Sequence, residues 1–327
     1  MEALISQPHL AILSRALQCL CRVASSVVVE LSSAGAVHWR ALNDTQTTFA
    51  LLRLCSTFFQ APVVSARPSR CRLLSRNLIW SLRPRLTASK ANVKIELDVD
   101  ALVFELKEEN GLGQRIQICS EDIQGSIYSH SCDKSSASSC VVLNSKWFQK
   151  QLDAFHPLLK EIIMQALPDY MVLRSFTDQE NADDEISTLD TEIRLRADDF
   201  EAYNIAETAS SSITFALKDL KVMLRFCEMA ETNLHLFFSG AGRPLIMSSS
   251  DVNDLCNPWT LNIVVATFSA DDESVGTREE SRDALNSQIS NARSNSTSNR
   301  SLVAPEQSEQ DNISSDSHSP KRRRHSS

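Results

Sequence analysis

One arrangement of apolar runs recurs four times in the first 269 residues of this 327-residue chain. Each occurrence starts with a short apolar run: Ala3-Leu4-Ile5, Pro62-Val63-Val64, Val141-Val142-Leu143 and Ile213-Thr214-Phe215. A helical periodicity follows, and then three strand-like runs. The spacing predicts amphipathic helices near 9–22, 69–83, 145–156 and 217–230. After the first come SSVVVEL, AVHWRAL and TQTTFALLRL; after the second, NVKIELDV, LVFELKE and QRIQIC. After the third come EIIMQAL, YMVLRSF and TEIRLRA; after the fourth, NLHLFF, RPLIMS and TLNIVVATF. Pro84 stops the second helix, because proline cannot continue the hydrogen-bond ladder. The unit is β-α-β-β-β, and a chain that repeats it four times reads as an α+β fold.

Two units per domain divide the chain into domains at 1–130 and 139–269, with a Ser-rich connector at 131–138. Residues 270–327 hold 15 serines and no Phe, Tyr or Trp. Such a segment buries too little apolar area to offset ordering entropy, so it reads as a disordered tail. No apolar run approaches the ~20 residues of a membrane span. The N-terminus carries Glu2 and lacks the basic start of a signal peptide. Nine cysteines without a CxxC pair fit a reducing compartment and free thiols.

Net charge is −8, which excludes a protein that coats DNA over its whole surface. The charge is unevenly spread, however. Residues 1–90 carry 11 basic and 3 acidic residues, a local balance of +8, whereas 1–269 sum to −6. The helix wheels localise the positive charge. Arg15 and Arg22 lie opposite Leu10, Leu13, Leu17 and Leu20, and Arg72, Arg76 and Arg83 share one face of the second helix. Lys146 and Lys150 oppose Phe148, Leu152 and Phe155. Lys218, Lys221 and Arg225 oppose Leu220, Leu224 and Cys227. Acids on the polar faces are few: Asp153, Asp219 and Glu228. Brought together, the four faces would form one positive wall that can hold phosphate backbone without reading sequence.

Three catalytic or metal patterns are weak. There is no GxxxxGK[ST] loop. Cys119, His130, Cys132 and Cys140 match no standard zinc spacing. Asp183, Asp184 and Glu185 cluster in the polar stretch TDQENADDEIS, which reads as a solvated loop rather than a two-metal nuclease site. No catalytic residues, metal or cofactor are expected.

The stretch Phe238-Ser239-Gly240-Ala241-Gly242-Arg243-Pro244 resembles the F-x-x-x-G-R-P hairpin of the Rad-nine checkpoint-clamp family. The preceding helix KDLKVMLRFCEMAE and the Phe58-Phe59-Gln60 stretch resemble that family too, over roughly 1–269. The Arg-rich segment RPSRCRLLSRNLIWSLRPR does not match it by letters. The resemblance implies a PCNA-like DNA-clamp fold and a non-enzymatic subunit of a heterotrimeric sliding clamp, the nine-one-one complex. It implies two homologous clamp subunits as partners, a clamp loader that places the ring at DNA damage, and double-stranded DNA through the hole. It also implies a phosphorylated tail that recruits BRCT-repeat checkpoint proteins. Candidate tail sites are Ser287 before Gln288, Ser308 with Asp311 at +3, and Ser319 before Pro320. Lys321, Arg322, Arg323 and Arg324 form a basic run of the nuclear-import type, giving an expected location in the nucleus. The alternatives are a nuclear protein-interaction adaptor that encircles no DNA, and a metal-dependent nuclease.

Overall fold

A computed structural model describes residues 2–32, 35–60, 70–82, 92–97, 101–107, 113–121, 133–176, 190–206, 212–252 and 257–269. Four β-α-β-β-β units follow one another in chain order. The first is β1 (Glu2–Ile5), α1 (Gln7–Val23), β2 (Ser26–Leu31), β3 (Val37–Leu42) and β4 (Thr48–Leu54). The second is β5 (Arg70–Leu74), α2 (Ser75–Leu82), β6 (Asn92–Leu97), β7 (Ala101–Lys107) and β8 (Gly113–Cys119). The third is β9 (Ser139–Leu143), α3 (Ser145–Leu152), β10 (Glu161–Ala166), β11 (Tyr170–Phe176) and β12 (Glu192–Arg196), followed by the short β13 (Ala202–Asn204). The fourth is β14 (Ile213–Ala216), α4 (Leu217–Met229), β15 (Leu234–Phe238), β16 (Leu245–Ser248) and β17 (Trp259–Val265).

Every pairing between named strands is antiparallel. Two four-stranded sheets run β1-β6-β7-β8 and β12-β11-β10-β14. A nine-stranded sheet runs β13-β9-β15-β16-β17-β4-β3-β2-β5. Its middle is the pairing of β17 with β4, in register from Trp259 opposite Leu54 to Val265 opposite Thr48. That ladder joins the last strand of the fourth unit to the last strand of the first. It makes one continuous sheet out of two halves of the chain.

Residues alternate in burial along β2, β3 and β10, as expected of strands with one face on the core. The main core gathers the helix stripes Leu10, Leu13, Leu17 and Leu20 of α1 and Leu220, Leu224 and Cys227 of α4, with Phe148 and Leu152 of α3. A small cluster on Phe49, Phe237, Ile246 and Val264 spans four adjacent strands of the long sheet.

The second unit departs from the sequence expectation. Its opening strand is Arg70–Leu74, not the Pro62–Val64 run, which lies outside the described residues. Cys71 and Leu73 are buried while their neighbours are not, a period of two that places them against β2. The spacing of Arg72 and Arg76 imitates a helix face because a five-residue strand runs directly into an eight-residue helix. Ser75 makes the corner: its N–H donates to the Ser25 carbonyl (2.9 Å) and its hydroxyl to the Ala24 carbonyl (2.6 Å).

The connector also differs. Residues 133–138 do not trail as a loose linker. Lys134–Ser136 form a single 3-10 turn, and the Lys134 ammonium donates to the Ser250 carbonyl (2.8 Å) while lying 5.7 Å from the Phe237 ring centroid. The Ser138 N–H donates to the Ser239 hydroxyl (3.0 Å). Polar Ser-rich composition suited a linker, but one cation with carbonyls and an aromatic face within reach anchors the segment.

Candidate nucleic-acid interface

The four helices form an unbroken row. α2 packs on α1, α1 on α4, and α4 on α3. Two of the three seams carry a polar tie. The Cys19 thiol approaches the Val222 carbonyl at 4.0 Å between α1 and α4. The Ser145 hydroxyl donates to the Thr232 carbonyl just beyond α4 (3.2 Å). The helices pack on strands through their apolar stripes, with α1 against β2, β3, β4 and β6, and α4 against β10, β15 and β17. That packing leaves the opposite stripe of each helix facing away from the core.

The outward stripe is positive. Arg22, Arg76, Lys146, Lys150, Lys218 and Arg225 are exposed, and Lys221 is half-buried. Among the described residues none of these seven lies within ion-pair distance of a carboxylate. Cations on the strands behave differently. Arg40 pairs with Glu30 (3.0 Å), Lys94 with Glu96 (2.6 Å) and Arg174 with Glu192 (2.7 Å). Several strand cations are therefore neutralised locally, whereas the seven on the helix row meet no carboxylate among the described residues.

Of the ten helix cations expected from the sequence, two do not join this stripe. The Arg15 guanidinium donates to the Met229 carbonyl, at the C-terminal end of α4, and is half-buried in the α1–α4 seam. Arg72 sits on β5, opposite Val28, with its Nε buried and without a hydrogen-bond partner among the described residues. Arg83 lies outside the described residues. The acids are also redistributed. Asp153 and Glu228 are exposed, but Asp219 is buried and accepts a hydrogen bond from the Thr48 hydroxyl (2.7 Å). Burial raises its pKa, against the lowering effects of that hydrogen bond and of Lys218. The polar face of α4 thus loses one of its two expected negative charges to the interior.

The hairpin Phe238–Pro244 joins β15 to β16. Phe238 is buried, Arg243 is exposed, and the Arg243 carbonyl accepts a 2.6 Å hydrogen bond from the Thr267 hydroxyl. Gly242 has φ +73°, a left-handed conformation that explains glycine there. The Phe58-Phe59-Gln60 stretch is pinned to the chain start. The His9 ring stacks on Phe58 at 4.5 Å, and the Gln60 N–H donates to the Leu4 carbonyl (2.9 Å).

Among the described residues no three His, Cys, Asp or Glu side chains gather as a metal site. His130, Cys132, Asp183, Asp184, Glu185 and the tail residues Ser287, Ser308, Ser319 and 321–324 lie outside the described residues. Burial pushes the Cys19 thiol far up and the Cys227 thiol up to about 12, so both stay protonated and unreactive in the core. Among the described residues no helix is long and apolar enough to cross a membrane.

Four β-α-β-β-β units, antiparallel sheets and a row of helices define the fold of the DNA sliding clamps. Solved structures agree. The chain superposes on a PCNA2–PCNA3 complex from Sulfolobus tokodaii with a TM-score of 0.63 at 11% identity, covering 82% of this chain and 99% of that one. PCNA from Thermococcus kodakaraensis gives 0.62 at 12% identity, covering 81% and 99%. The proliferating cellular nuclear antigen of Entamoeba histolytica gives 0.61 at 16%, covering 81% and 98%. Within that fold the chain belongs to the Rad9 family, whose model matches residues 13–268. It is 20% identical over 287 residues to the DNA repair protein rad9 of Schizosaccharomyces pombe, covering 76% of this chain. It spans 66% of that relative's length.

Proposed function

We propose that this chain is a non-enzymatic subunit of a heterotrimeric sliding clamp, acting in DNA-damage checkpoint signalling and DNA repair. The observation that carries the proposal is the helix row. Seven cations that meet no carboxylate among the described residues lie on the outward faces of four helices packed in sequence, in a chain whose net charge is −8. Such a surface holds a phosphate backbone without sequence readout, as a ring sliding on DNA requires. Family membership and the clamp fold support the same reading.

In this reading clamp domains at 1–130 and 139–269 flank the 131–138 connector, and two homologous subunits complete the ring. Among the described residues β8 and β12 each end a four-stranded sheet, so their outer backbone edges suit pairing across subunit boundaries. A clamp loader places the ring on duplex DNA. Phosphorylation of the tail at Ser287, Ser308 or Ser319 recruits a BRCT-repeat protein, and the basic run 321–324 carries the chain into the nucleus.

Reversing charge at Arg22, Arg76, Lys221 and Arg225 to Glu tests the reading. The assembled ring should lose its retention on closed circular DNA while its subunits still co-purify. Retention equal to wild type would remove the helix row from the DNA path. Failure of the chain to co-purify with clamp-like subunits would favour a simple adaptor.

A further inference from the structure

Helix α2 presents a side chain that holding phosphate does not require. Trp80 is 73% exposed, more than any other large apolar side chain among the described residues. Arg76 lies one turn before it and Asn77 three residues before it, both exposed, so the three share a face. Leu78 and Ser81 on the other side are buried. α2 contains no acidic residue, and Arg76 has no carboxylate partner among the described residues.

An indole held in water beside a guanidinium that meets no carboxylate among the described residues is suited to a partner that is both flat and anionic. The outside of a duplex is anionic, but it presents sugar and phosphate, and its base faces are hidden in the stack. An unpaired nucleotide offers both features: a π face of any base type, and a phosphate within one helical turn. We propose that Trp80 is a stacking platform for an unpaired base, with Arg76 neutralising the neighbouring phosphate, so that α2 favours DNA containing a gap or single-stranded stretch. This inference rests on the reading that the helix row faces DNA and adds a preference for one DNA structure.

The test uses the full-length chain, in the assembly in which it is purified, with three probes: a blunt duplex, a duplex with a short gap, and oligodeoxythymidylate. Loss of one stacked base weakens binding by about tenfold. Trp80→Ala should therefore weaken the gapped and single-stranded probes by about that factor and leave the blunt duplex unchanged. Trp80→Phe, which keeps a stacking ring, should restore binding to within about twofold of wild type. Oligodeoxythymidylate should also quench tryptophan emission in wild type, and this quench should disappear in Trp80→Phe. Equal weakening on all probes, or none on any, overturns the inference. Loss of co-purifying subunits in Trp80→Ala overturns it as well, because Trp80 would then be buried against protein. Failure of the wild-type assembly to bind any probe, or indifference of all binding to the four-site charge reversal, would instead bring down the parent reading.

Discussion

The Thr48 hydroxyl donates a 2.7 Å hydrogen bond to the Asp219 carboxylate, joining β4 to α4 inside the protein. Thr48 also pairs with Val265 at one end of the β4–β17 ladder, so this bond reinforces the strand pairing that joins the two halves of the chain. Removing the donor leaves a buried carboxylate oxygen without that partner. Thr48→Val should cost about 1–3 kcal/mol of folding stability, read from urea denaturation.

The same carboxylate makes stability depend on pH. Burial raises the Asp219 pKa above its ordinary 3.8, so the folded state holds this proton more tightly than the unfolded chain. Its contribution to stability therefore falls as pH rises from about 3.8 through the raised folded value, and is constant above it. Asp219→Asn keeps an acceptor for Thr48 and removes the ionisation. The urea midpoint of the variant relative to wild type should shift upward between pH 4 and pH 8. A pH-independent difference would show that Asp219 does not carry this dependence.

Two arginines on α1 should separate structure from DNA contact. Arg15 donates to the Met229 carbonyl, whereas Arg22 is exposed and without a carboxylate partner among the described residues. Arg15→Ala should cost about 1.5–3 kcal/mol, the range for hydrogen bonds made by charged groups. Arg22→Ala should stay within about 0.5 kcal/mol.

Salt dependence gives the complementary measurement on the assembled ring. Each phosphate contact contributes about 0.9 to the slope of log affinity against log salt on duplex DNA. Alanine at Arg22, Lys150 or Arg225 should each lower the slope by about that amount wherever the side chain meets a phosphate. Arg15→Ala should leave the slope unchanged.

Gly242 tests the hairpin. At φ +73°, with no heavy atom of the described residues within 4 Å of where a Cβ would stand, the position has room for a side chain but the wrong backbone conformation for one. Gly242→Ala should therefore destabilise by about 1–2 kcal/mol through backbone strain alone, measurable as a lowered thermal midpoint. Gly242→Asn should recover part of the loss, because Asn tolerates the left-handed region.

Much of the architecture was legible because periodicity is a local property. The Leu10, Leu13, Leu17 and Leu20 stripe of α1 and the Leu220, Leu224 and Cys227 stripe of α4 are buried as their spacing requires. The alternation along β2, β3 and β10 likewise matches its half-buried faces. The second unit differs from its periodicity where a short strand meets a short helix. Arg72 and Arg76 are four apart in sequence, and without a partner strand in view nothing distinguishes that spacing from a helical face.

By itself the sequence determined the fourfold recurrence of the β-α-β-β-β pattern, though not where the second unit's strand ends and its helix begins, and it determined the apolar and positive sides of the other helices, because these follow from the order of residues within one element. Tertiary structure alone decided the pairing of β4 with β17, the order α2-α1-α4-α3, and the sorting of charges. It drew Arg15 into a seam, Arg72 onto a strand and Asp219 into the core. The physical reason is distance along the chain. Thr48 and Asp219 are 171 residues apart, and only folding reveals that this carboxylate meets a hydroxyl instead of water.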